Sequence, residues 1–105
     1  MSFHTEEHTI TVSGGTGSAT TNYRLRGLLW QIIIKPASET TTWDMEIREE
    51  KTGREILGWD AETGSVNSAF GLEVPMQVDK YTLNIINSDA DEDFLFRITV
   101  REPVY

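Results

Sequence analysis

The chain has two histidines, His4 and His8, and they bracket two glutamates in His4-Thr5-Glu6-Glu7-His8. The string fits H-x-x-E-H, the inverted zinc-protease pattern, in which two imidazoles hold a metal and a glutamate activates its water. That chemistry needs a helix to aim both imidazoles at one ion. Here a strand-like Thr9 to Val12 follows at once, and there is no third histidine. Residues 1–8 are therefore expected to form a polar, solvated N-terminal arm without a metal.

Asp89, Asp91 and Asp93 have the alternating carboxylates that open a calcium loop. Phe94 stands at that loop's glycine position and Val100 at its closing glutamate, so the cluster reads as a charged turn that keeps strand edges apart. Gly14-Gly15-Thr16-Gly17-Ser18 lacks the lysine of a phosphate loop. Thr20 occupies the third glycine of a dinucleotide fingerprint, and no helix follows to bind an anion. A serine triad would have to recruit the arm histidines. Carboxylates such as Glu46 and Glu73 formally supply a glycosidase pair, yet a small sandwich offers little room for a cleft. The expectation is a non-enzyme with no cofactor.

Composition narrows the class further. The 105 residues carry 17 acidic and 9 basic side chains, for a net charge of -8. That length predicts one domain, and the acidic balance argues against nucleic acid, whose phosphates repel such a surface. The absence of cysteine rules out disulfides, thiolate metal sites and a cysteine nucleophile. No apolar run reaches the roughly 18 residues of a membrane helix, and the opening MSFHTEEHT lacks a signal-peptide pattern.

The elements that must position any site follow a period of two. Trp43, Met45 and Ile47 alternate with Asp44, Glu46 and Arg48, and Phe94 to Val100 and Tyr81 to Ile85 behave likewise. Such alternation marks half-buried strands. Leu25 to Lys35 is nearly continuous in apolar residues and reads as a central strand covered on both faces, or covered by an oligomer partner. Pro36 ends it, Lys51-Thr52-Gly53 makes a hairpin turn, and Asn87 to Asp93 is an acidic loop. Asp60 to Phe70 shows no clear period and is expected to be a long loop with at most a helical turn. The fold class is all-β: a single β-sandwich or jelly-roll-like domain of about seven or eight mostly antiparallel strands over residues 9–105.

Among the aromatics, Trp30 and Trp43 are expected in the core. Trp59 stands at a strand end, where it could lid the sandwich core or, if exposed, stack on a sugar or anchor a protein interface. With Phe3 and His4 in the arm, Phe70, and Tyr105 in the tail, it completes the candidate interaction surface.

The order of segments carries a resemblance. A glycine- and threonine-rich opening, TVSGGTGSATT, precedes a long apolar strand, RLRGLLWQIIIKP, then TTTWDMEI and the paired ending YTLNIINSDADEDFLFRITV. This order resembles the small β-sandwich virion proteins of tailed bacteriophages, the decoration or cement proteins that coat capsids. The resemblance implies a structural protein located in the virion, bound to the major capsid protein or another virion protein. It implies a homo-oligomer, trimer ahead of dimer, and no catalytic residues. In that role the arm would dock on the shell, and Leu28 to Ile34 would lie near the oligomer interface. The alternative is a carbohydrate-binding sandwich, free or in a tail or fibre, with Trp59 as its stacking platform.

Overall fold

Alternation of period two governs the backbone over most of its length. In the computed structural model, which describes residues 2–67 and 72–102, nine strands are formed: β1 Ser2–Thr11, β2 Gly17–Thr20, β3 Leu25–Pro36, β4 Thr42–Glu49, β5 Glu55–Thr63, β6 Val66–Asn67, β7 Val74–Asp79, β8 Tyr81–Ile86 and β9 Asp93–Glu102. They build two antiparallel sheets. One has the order β1-β9-β3-β6, with β7 also pairing β3; the other runs β2-β8-β4-β5. The all-β sandwich expected from the sequence is thus the architecture.

The core lies between the sheets. From the first sheet Ile10, Leu29, Ile32, Ile34, Phe94, Phe96 and Ile98 point inward, and from the second Trp43, Met45, Ile47, Leu83 and Ile85 meet them. Each such side chain contributes about 1.5–3 kcal/mol by leaving water. Trp43 stands edge-on to Phe94, with ring centroids 5.9 Å apart, and its Nε1 donates to the Gly64 carbonyl at 3.0 Å. That bond satisfies the indole's one polar atom in an otherwise apolar setting. Trp43 is a core residue as expected. At the β4–β5 hairpin Gly53 takes φ 75°, the left-handed turn position that its lack of a Cβ allows.

Two sequence expectations are corrected. The segment read as a solvated arm is the first part of β1, whose ten residues pair in unbroken register with β9, from Ser2↔Glu102 to Thr11↔Asp93. Its inward positions are His4, Glu6 and His8 rather than apolar residues, so no hydrophobic alternation announced it. Most of the expected Asp60 to Phe70 loop that is described is strand: β5 runs to Thr63 and β6 follows. A register irregularity between Trp43 and Met45 bulges β5 at Asp60 and Ala61 and hides the period. The bulge is held by Asp44, whose Oδ1 accepts the Ala61 N–H at 2.7 Å, with Ala61 at φ 56°.

Candidate interaction face and the His4–Glu6–His8 cluster

On β1 the pleat sends alternate residues inward, and this selects Glu6 rather than Glu7 as the partner of the two histidines. Glu6 is only 7% exposed. Its Oε1 accepts from His8 Nε2 at 2.9 Å and from the Asn22 N–H at 2.7 Å. Its Oε2 accepts from His4 Nε2 and from the Tyr23 N–H, both at 3.2 Å. Burial opposes ionisation of this carboxyl, but the four donors outweigh it and hold its pKa below the ordinary value of 4.5. His8 stacks on Phe96 and His4 meets Tyr23 edge-on. The cluster ties β1 to the β2–β3 connection. Both imidazoles aim at one carboxylate, and among the described residues no group of three histidine or acidic side chains is placed to hold a metal ion.

Glu7 points the other way and pairs with Arg97, whose Nε lies 2.8 Å from its Oε2. It belongs to the outer face of the five-stranded sheet. An antiparallel sheet usually keeps one face polar, and the second sheet obeys: its outer face shows Glu46 and Arg48, paired at 2.8 Å, with Asn84 and the Thr20–Thr82 hydroxyl pair. The outer face of the first sheet departs from this rule. Leu28, Ile33 and Leu95 stand on it half-buried, opposite Arg101, Arg97 and Lys35 respectively in the β3–β9 register. Trp30 is the extra residue of a bulge between Leu29 and Gln31. It packs against Phe3 with centroids 5.8 Å apart, and the Arg101 guanidinium lies 5.2 Å from its ring centre, a cation–π contact. Phe3 itself is 51% exposed. Contrary to expectation, Trp30 is an outer-face residue, and β3 is covered by the core on one face only.

Charge is distributed unevenly along the molecule. One end gathers Glu39, Asp44, Asp60 and Glu62 with the loop carboxylates Asp89, Asp91, Glu92 and Asp93, against Lys35 as the single cation there among the described residues. The remaining charges, including Arg24, Lys51, Arg54 and Arg101, nearly cancel. The acidic loop does not converge on an ion. Asp89 Oδ1 accepts the Thr42 N–H at 3.1 Å, Asp91 Oδ1 the Gly15 N–H at 3.1 Å, and Asp93 Oδ1 the Thr11 hydroxyl at 3.0 Å. Glu92 takes the Thr41 hydroxyl. Asp91 fastens the β1–β2 turn, Asp93 the end of β1, and Asp89 and Glu92 together the β3–β4 junction.

Phe3 and His4 fall on opposite faces of β1, so the structure separates these two members of the expected interaction surface. Trp59 sits within β5, not at its end, half-buried and packed against the core. Phe70 and Tyr105 lie outside the described residues. Sequence reasoning missed Trp30, Leu28, Ile33 and Arg101 as one outer face. The signal available was the run Leu28-Leu29-Trp30, which a bulge allows to serve both faces.

No family model and no curated protein matches the chain. Among solved structures it is similar to the Drosophila NLP core, with a TM-score of 0.47 and 19% identity over 96% of this chain and 100% of that one. That structure is described as giving insight into pentamer formation and histone binding; both are statements about that protein.

Proposed function

We propose that the chain is a non-enzymatic structural protein that associates with copies of itself and coats or cements a protein shell, as the decoration proteins of tailed phages do. The observation that supports this reading is the outer face of the five-stranded sheet, where Phe3, Leu28, Trp30, Ile33 and Leu95 present apolar surface that an antiparallel sheet ordinarily leaves polar. A rigid sandwich with such a face has what repeated docking requires, and many weak contacts repeated by symmetry add up to tight occupancy. The partner in this reading is the major capsid protein or another virion protein, and the site of action is the virion. The histidines fit a structural role, since both are engaged with Glu6. Sugar binding finds less support, because its platform, Trp59, packs half-buried against the core.

Quantitative peptide mass spectrometry on purified particles from the source tests the proposal. Hundreds of copies per particle support a coat protein. A handful indicates a tail or fibre part, and absence overturns the virion reading.

A further inference from the structure

The outer face of the five-stranded sheet and the uneven charge together say how a second copy would sit. We infer that two copies pack face to face through this sheet about a two-fold axis perpendicular to the strands, so that the strands run antiparallel and the acidic ends lie apart. The inference rests on the self-association proposed above and goes beyond it by fixing the occupant and its direction.

Three observations lead there. First, the face is large enough. Strands β1 and β9 run ten residues, about 34 Å, and four strands abreast span about 20 Å at the usual spacing; the resulting face of about 700 Å² falls within the roughly 600–1,000 Å² per partner of a standard interface. Second, the face is where like charge is weakest. Its outward charges are Glu7 and Asp93 against Arg26, Lys35, Arg97 and Arg101, a net of two positive charges in a chain of -8. A second copy meets less repulsion here than over the remainder of the surface. Third, direction follows from the acidic end. A two-fold axis parallel to the strands would set both acidic ends side by side, within about a Debye length or two. An axis across the strands sets each acidic end beside the nearly neutral end of the other copy. The two-fold axis makes the contact isologous and closed. It yields a pair rather than the trimer that the sequence resemblance implies.

The test exploits the absence of native cysteine. Thr40→Cys, at the acidic end, and Glu50→Cys, at the opposite end, both replace exposed residues. Each variant is spin-labelled, and separations between copies are measured by double electron–electron resonance in samples of one variant and in equimolar mixtures. The expected result is a like-label separation near the 44 Å length of the molecule and a clearly shorter separation between unlike labels in the mixture. Short Thr40–Thr40 separations would overturn the direction while leaving self-association standing. No intermolecular distance at any concentration would overturn the pair itself; particle copy number decides the coat reading separately. Melting temperatures of the labelled variants close to wild type establish that the fold is intact.

Discussion

Replacing Glu6 with glutamine probes a buried carboxylate that holds two elements together. Glu6→Gln keeps the volume and removes the charge. If the amide oxygen takes the Oε1 position, it retains the Asn22 N–H and His8. The amide nitrogen then faces the Tyr23 N–H, donor against donor, while His4 can turn its other tautomer to accept. One backbone N–H loses its partner and the remaining bonds lose their charge assistance. Hydrogen bonds to charged groups are worth about 1.5–3 kcal/mol, so the expected loss at pH 7 is about 2 kcal/mol. For a domain of this size that lowers Tm by roughly 8–16 °C. The assay is calorimetry with urea unfolding across pH. Because the folded pKa of Glu6 lies below its ordinary value of 4.5, its contribution is present above that value and is lost as pH falls through the folded pKa. The gap between wild type and Glu6→Gln should therefore narrow toward pH 3. A gap under about 0.5 kcal/mol at pH 7, well below the lower bound for such bonds, would refute the reasoning. So would a gap that does not change with pH.

Other perturbations have equally definite outcomes. Ala61 occupies the left-handed region at φ 56°, so Ala61→Gly should raise stability by about 0.5–1 kcal/mol, the relief of strain exceeding the added unfolded-state entropy; a melting curve checks it. Gly64→Ala should cost about 2 kcal/mol or more, because φ is +66° and the new Cβ would stand 2.6 Å from the Glu39 carbonyl oxygen; urea unfolding measures the loss. Burial, with Glu49 and Asp79 nearby, pushes the Tyr81 phenol up to about 12 from 10.0. Stability from this shift is complete below pH 10 and is lost as pH rises toward 12. The difference in ultraviolet titration between wild type and Tyr81→Phe should show a phenol ionising near that upper value.

Much of the fold was legible because the core obeys simple alternation. Trp43-Asp44-Met45-Glu46-Ile47 and Phe94 to Val100 announced β4 and β9, and Pro36 and Gly53 marked their punctuation. What stayed hidden did so for physical reasons. β1 turns polar side chains inward and compensates them with hydrogen bonds, so His4, Glu6 and His8 resembled solvated chain. Their spacing of two was the strand signal, while the spacing of H-x-x-E-H pointed to a helix and to Glu7. In β5 the bulge at Asp60 and Ala61 shifts the phase between Trp59 and Glu62, and the strand read as a loop. At Trp30 another bulge places an aromatic outward from a run that looked uniformly buried. The candidate face was half legible: the run Leu28 to Ile34 pointed to an oligomer contact, but which side chains turn outward depends on a register irregularity that composition does not encode.

Sedimentation velocity over a wide dilution series, comparing wild type with Phe3→Asp, tests most directly whether the outer sheet face is built for assembly. Phe3 is 51% exposed, so the substitution leaves the core intact while placing a charge beside Trp30, at the β1 edge of the proposed contact. The account predicts concentration-dependent association of wild type, and a variant that remains monomeric with an unchanged far-ultraviolet circular dichroism spectrum. A wild type that is monomeric at every concentration, or a variant that associates as tightly as wild type, would contradict it.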